Sequence, residues 1–163
     1  MSTLAEIRAA IVAKLQAVPA IGTVHAYERY AKTESEFREL YVSTIGGQAL
    51  IRGWYLRRMA TRELSAMVGV SMRVTSWRIV GYFGLDDVAE SELVFDNLVE
   101  AACDAFRTDP TLGGIVADLC DLTAGSEDKP QGLQVEDFAQ VLLAQKLCHR
   151  TQLLLTTSHP LQY

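Results

Sequence analysis

The chain has 163 residues, of which 49% are hydrophobic and 21% charged, so it can bury the core of one soluble domain spanning residues 1–163. Its formal net charge of -5 at pH 7 argues against a protein that binds nucleic acid through phosphates, because such proteins are usually basic. No apolar run approaches the roughly 18 residues of a membrane-spanning helix, so we expect no membrane partner.

The first third of the chain predicts two helices and a strand. Apolar residues recur at three- and four-residue steps over residues 4–18, which predicts an amphipathic helix. Residues 23–30 are rich in aromatic and β-branched side chains and predict a strand. A short helix follows over residues 33–41, with Thr33 as cap and Glu36 three residues later, and residues 43–47 are predicted to be a loop.

The middle of the chain predicts a long β-hairpin. Residues 49–59 and 70–83 are β-rich and free of proline. Residues 60–69 between them fit either a hairpin tip or one helical turn ended by Gly69. Strands of this length would reach past the core of a small domain, so we expect the hairpin to protrude.

The last part of the chain opens with a helix over residues 88–107, with Asp87 as N-cap and Glu90 three residues later. Residues 115–122, 133–143 and 147–157 predict strands, and residues 123–131 an exposed polar loop. Because hairpins outnumber βαβ units, we predict an α+β single domain with a mostly antiparallel sheet, helices packed on one face and the long protruding hairpin.

No group of residues in the sequence has the spacing of a catalytic or metal site. The three cysteines, Cys103, Cys120 and Cys148, are far apart, and the histidines stand at no metal-ligand spacing. Cys148 and His149 are neighbours on a predicted strand, where they would point to opposite faces and could not share a proton. We therefore expect reduced, mostly buried thiols, a half-buried strand histidine, no cofactor and no enzymatic activity.

Charge is segregated between two neighbouring elements. Four acids fall every fourth residue on the predicted helix and form one ridge: Glu92, Asp96, Glu100 and Asp104. The hairpin carries mainly arginines, with Glu63 as the one acid: Arg52, Arg57, Arg58, Arg62, Arg73 and Arg78. Like charges at this spacing disfavour a helix by roughly 0.2–0.5 kcal/mol per pair.

Three interpretations of this segregation remain open. The ridge can be a solvated face, with the arginines in salt bridges within the chain. It can instead be a subunit interface, in which an arginine-bearing arm lies against the acids of the next copy in a ring. As a third possibility, the acids can line a lumen and keep passing DNA from sticking.

Several segments together resemble the tail-terminator (tail-completion) proteins of long-tailed phages. They are the opening helix over residues 4–18 with residues 21–25 (IGTVH), residues 77–81 (WRIVG), the helix over residues 91–107, residues 111–114 (TLGG) and residues 147–155 (LCHRTQLLL). Each motif alone is unspecific, and the resemblance lies in their order and spacing over most of the chain. Residues 57–72 and the acidic ridge match no motif of the family.

The resemblance implies a structural virion protein that forms a homo-hexameric ring at the head-proximal end of the tail tube. Such a ring would bind the tube protein, end tube polymerisation and offer a joining surface to the head-completion or neck protein, while DNA passes through its lumen without specific binding. It implies assembly in the host cytoplasm and no catalytic residues. The alternatives are another neck or head-completion connector and, from a different class, a small α+β enzyme or ligand-binding domain.

Overall fold

The computed structural model describes residues 2–67, 69–125 and 129–161. In chain order the described elements are α1 (Leu4–Gln16), β1 (Thr23–His25), α2 (Glu34–Tyr41), β2 (Val42–Ile45), β3 (Gln48–Met67), β4 (Val70–Gly84), α3 (Ser91–Arg107), β5 (Gln134–Leu143) and β6 (Lys146–Leu161).

The two N-terminal helices begin at threonine caps. The Thr3 hydroxyl accepts a hydrogen bond from the Glu6 amide, and the Glu6 carboxylate accepts one from the Thr3 amide, so α1 has a complete capping box. At α2 the predicted cap is confirmed, since Thr33 accepts from the Glu36 amide. The Glu36 carboxylate accepts from the amide of Lys32 instead of that of the cap residue.

The strands form one sheet in the order β1-β3-β4-β6-β5, with β2 paired to β3 off this path. The β1–β3 pair is parallel and the other pairs are antiparallel. Strand β6 accompanies β4 from the pair Gly84–Cys148 to the pair Ser71–Leu161. The predicted hairpin therefore exists, and its distal half is part of a three-stranded extension.

The helices cover the sheet unequally. Trp54 and Leu56 of β3 belong to a large buried cluster with α1 and α3, and Tyr55 belongs to a second cluster with Phe37 and Tyr41 of α2. Because adjacent strand residues point to opposite faces, the two long helices share one face, here called the helical face. The predicted α+β single-domain class is confirmed.

Three local predictions differ from the structure. Residues 43–47 do not form a loop, because residues 43–45 belong to strand β2. Gly46 and Gly47, both with positive φ, then form a tight turn between β2 and β3. The helical turn considered within residues 60–69 is absent over 60–67, where β3 continues. The predicted strand over residues 23–30 ends at His25, and residues 26–30 leave the sheet.

Two further predictions fail around α3. The helix begins with Glu90 as N-cap at φ 52°, not with Asp87, because a preceding turn is held by the Asp86 carboxylate, which accepts from the Ala89 amide. Residues 115–122 form turns with a single bridge between Asp118 and Ser158, not a strand. Val116 and Leu119 are buried in the core although they lie outside helices and strands. In sequence, such a run of apolar residues has the same pattern as a buried strand, and this is why the prediction is wrong here.

Candidate assembly surfaces

The acidic ridge lies on the solvent side of α3. All four carboxylate residues are exposed, while the opposite side of the helix buries Phe95, Ala102 and Phe106. Asp104 pairs with Arg107 on the same helix. Within the part of the chain that the structure describes, Glu92, Asp96 and Glu100 make no ion pair.

Most arginines of the hairpin are paired within the chain. Ion pairs join Arg57 to Glu28 at 3.1 Å, Arg62 to Asp121, Arg73 to Glu63, and Arg78 to Glu136 at 3.9 Å. The guanidinium of Arg52 lies 4.5 Å from the centre of the Phe83 ring and donates to the carbonyl of Ala20, and burial lowers its pKa. The structure therefore brings none of these five arginines to the acidic ridge.

Arg58 is the exception among the predicted arginines. It is exposed and makes no ion pair among the described residues, and it lies opposite Trp77 in the β3–β4 pairing, the residue whose ring a second arginine, Arg8 of α1, covers. The Arg8 guanidinium lies 5.2 Å from the centre of the Trp77 ring and donates to the carbonyl of Ala26. Burial, followed by the charge of Arg58, lowers the pKa of Arg8. Two adjacent cations thus lack an acidic partner in the described part of the chain.

Strand β5 forms one open edge of the sheet. Among described residues its one strand neighbour is β6. The turn at Ala144 and Gln145 has φ of 44° and 63°, typical of a two-residue type I′ hairpin. Since hydrogen-bonded pairs alternate along such a hairpin, Phe138, Gln140 and Leu142 direct their backbone N–H and C=O groups outward.

Strand β3 forms the opposite open edge. Its pairing with β2 covers residues 48–51 and its pairing with β1 covers residues 53–55. Beyond Tyr55, within the described residues, β3 has β4 alone as neighbour. Side chains 57–65 on this stretch are exposed. An edge of this length is a template for pairing with another strand.

A tyrosine-lined cavity of about 450 Å³ lies on the face away from α1 and α3. Burial raises the pKa of Tyr41 to about 12 and raises the pKa of Tyr55 and Tyr82 as well. The Tyr41 hydroxyl donates to the carbonyl of Arg29 at 2.9 Å, and the rings of Tyr55 and Tyr82 lie 6.3 Å apart, centre to centre. Because the pKa values of these hydroxyls are raised further above neutral pH, the tyrosines stay protonated and act here as packing and hydrogen-bonding groups.

The histidines and cysteines have structural surroundings. His149 is buried, more than predicted, with Nε2 2.8 Å from the Ser91 hydroxyl, and this contact ties the start of α3 to β6. Burial raises the pKa of the Cys148 thiol to about 11, and all three cysteines are buried and free, as predicted. In the described ranges no three His, Cys, Asp or Glu side chains are grouped to hold a metal ion.

In comparisons with known proteins, no family model matches the chain and no curated protein matches it significantly. No helix among residues 2–67, 69–125 and 129–161 combines the length and the apolar character that crossing a membrane requires.

Proposed function

We propose that the chain is the structural subunit of a homo-hexameric ring that caps the head-proximal end of a phage tail tube. The observation that carries the ring is the pair of open sheet edges, β5 on one side and β3 beyond Tyr55 on the other. Two different edges favour heterologous contacts, in which one surface meets another surface of the next copy.

The strand directions fit such a contact. Each step from β3 through β4 and β6 to β5 is antiparallel, so β5 runs opposite to β3. In the register of the sheet, β5 is level with β3 residues up to Arg57, where β1 and β2 cover the outer edge of β3. The proposed ring therefore has strands inclined to its axis, so that rotation brings the open stretch of β3 beyond Tyr55 of a second copy antiparallel to β5 of the first. The antiparallel alternation then continues across the joint without reversal.

The terminator role is supported by the resemblance of several segments to those of tail-completion proteins. Residues 77–81 lie in the central strand β4, and residues 147–155 lie in its neighbour β6. In this role the ring ends tube polymerisation, offers its other side to the head-completion or neck protein, and lets DNA pass without specific binding. The protein would act in the virion after assembly in the host cytoplasm, without a cofactor or a catalytic reaction.

Light scattering coupled to size-exclusion chromatography tests this proposal. The full chain is measured alone and after mixing with preassembled tail tubes and with soluble tube protein. We expect a species of about six times the 18.0 kDa subunit mass in at least one condition, and binding to one end of the tubes by electron microscopy. A chain that stays monomeric in every condition and leaves the tubes bare would overturn it.

A further inference from the structure

The two long helices lie over opposite sides of the sheet, α1 towards the β3 edge and α3 towards the β5 edge. On the β3 side, α1 lies beside β1, and its Arg8 covers Trp77. On the β5 side, Phe95 of α3 lies 5.4 Å, centre to centre, from the Phe138 ring of β5. In a ring that continues the sheet, α3 of one copy is therefore followed by α1 of the next.

The unpaired acids occupy the flank of α3 that faces this joint. Val94 lines a small cavity with Leu50 and Ile51 of β3, so its flank of α3 faces the chain's own β3. With 3.6 residues per turn, Glu92 and Asp96 lie on the opposite flank, towards the open edge of β5.

The outer flank of α1 has the same relation to the other edge. Lys14 pairs with Asp109 just beyond α3 at 2.6 Å, so this flank of α1 faces its own α3. The opposite flank forms an open groove of about 670 Å³, lined by Ala5, Arg8, Val12 and neighbouring side chains. Arg58 adds a second cation, because it is paired across β3 and β4 with Trp77, whose ring Arg8 covers.

The two surfaces are complementary in polarity. The β5 side presents exposed apolar side chains, Phe138 at 41%, Leu142 at 67% and Leu147 at 56% exposure, beside the unpaired acids. The α1 side presents an apolar groove beside the unpaired arginines. Within the described chain, Glu92 and Asp96 lack cationic partners, and Arg8 and Arg58 lack acidic partners. Each group therefore offers the charge that the other needs.

We infer that a second copy of this chain docks its α1 groove, with Arg8 and Arg58, against Glu92, Asp96 and the apolar strip Phe138–Leu142–Leu147. This inference rests on the proposed ring and names its contacts on the helical face. The sequence pattern predicts that the arginines of the whole hairpin contact the acids of the next copy. In the inferred contact, Arg58 is the hairpin arginine that does so, together with Arg8 of α1. Arginine suits the contact because its planar fork pairs with carboxylates in two places.

Charge reversal with rescue tests the pairing. The variants are Arg58→Glu, the double change Glu92→Arg with Asp96→Arg, and the combination of all three. We expect each reversal alone to raise by about tenfold or more the protein concentration at which half of the chains are in rings, and the combination to restore it. Reversal of Glu39 to Arg, an exposed acid on α2, is the matched control and should change nothing.

Assembly is measured by light scattering over a range of protein and salt concentrations, and circular dichroism checks that each variant is folded. Rings that form in the reversal variants with the salt dependence of the unmodified chain would overturn the pairing and leave the ring proposal standing. Disruption without rescue by the combination would overturn it too. An unmodified chain that forms no ring, with or without tubes, would overturn both.

Discussion

At the scale of single residues, packing explains why residues 77–81 of β4 end in a glycine, Gly81. Gly81 lies opposite Trp54 of β3, and a Cβ built on it would lie 2.3 Å from Cζ3 of the indole ring. The ring cannot move freely, because Trp54 is fully buried and its Nε1 donates to the Ile21 carbonyl at 2.9 Å. The glycine that ends residues 77–81 is therefore a packing requirement of this core.

Gly81→Ala is expected to lower the free energy of unfolding by about 1–3 kcal/mol, since an added methyl group overpacks the core. Urea denaturation followed by tryptophan fluorescence measures the change. Gly125→Ala is the control, because a Cβ there meets no atom within 4 Å, and it should stay within about 0.5 kcal/mol. Equal stability of the two variants would show that Trp54 has room to shift.

At the scale of elements, the open edge of β5 can be tested without unfolding the subunit. The Gln140 amide points away from β6, so Gln140→Pro removes an outward donor and keeps the β5–β6 hydrogen bonds. We expect this variant to remain folded but to lose ring assembly. Ala139→Pro removes an amide that points to β6 and should instead destabilise the monomer.

Thermal unfolding and light scattering separate the two effects. Gln140→Val keeps the amide and should assemble as the unmodified chain does, which excludes a side-chain effect. If Gln140→Pro forms rings at the concentration of the unmodified chain, β5 does not pair across the joint.

Periodic elements were predictable from the sequence, and features that depend on distant residues were not. The 3.6-residue pattern placed α1 and α3 and put Glu92, Asp96, Glu100 and Asp104 on an exposed side. The β-rich runs predicted the hairpin, β5 and β6. The β2 strand was missed because a Gly-Gly pair is compatible with both a loop and a tight turn, and only pairing with β3 decides between them.

The candidate site was predicted only in part, because it too depends on residues that are distant in sequence. Salt bridges such as that of Arg57 with Glu28 join residues from separate elements, and charge spacing along the chain cannot foresee them. The role of Arg8 was missed because a single cation on an amphipathic helix carries no signal of its own. The role proposed for it depends on Trp77, whose ring it covers, and on Arg58, which is paired with Trp77 across β3 and β4.

At the scale of the whole molecule, the two sides of the sheet differ both in strand direction and in the charge of the helix above them. From β3 to β5 the strands alternate, and from α1 to α3 the helical face changes from arginines to acids that make no ion pair among the described residues. A subunit with different and complementary ends adds copies head to tail, and such a chain of contacts closes into a ring when the rotation permits. In the proposed ring, the β5 side of one copy meets the β3 side of the next.

Cysteine cross-linking tests this contact between copies. Ala60→Cys places a thiol on the open stretch of β3 and Gln140→Cys places one on β5, while the native cysteines are buried. With a short bis-maleimide, we predict that a protein carrying both changes gives a ladder of covalent oligomers that ends at the hexamer, and that each single variant stays uncross-linked. Dimers in a single variant, or rings that the double variant fails to cross-link, would contradict the head-to-tail joint.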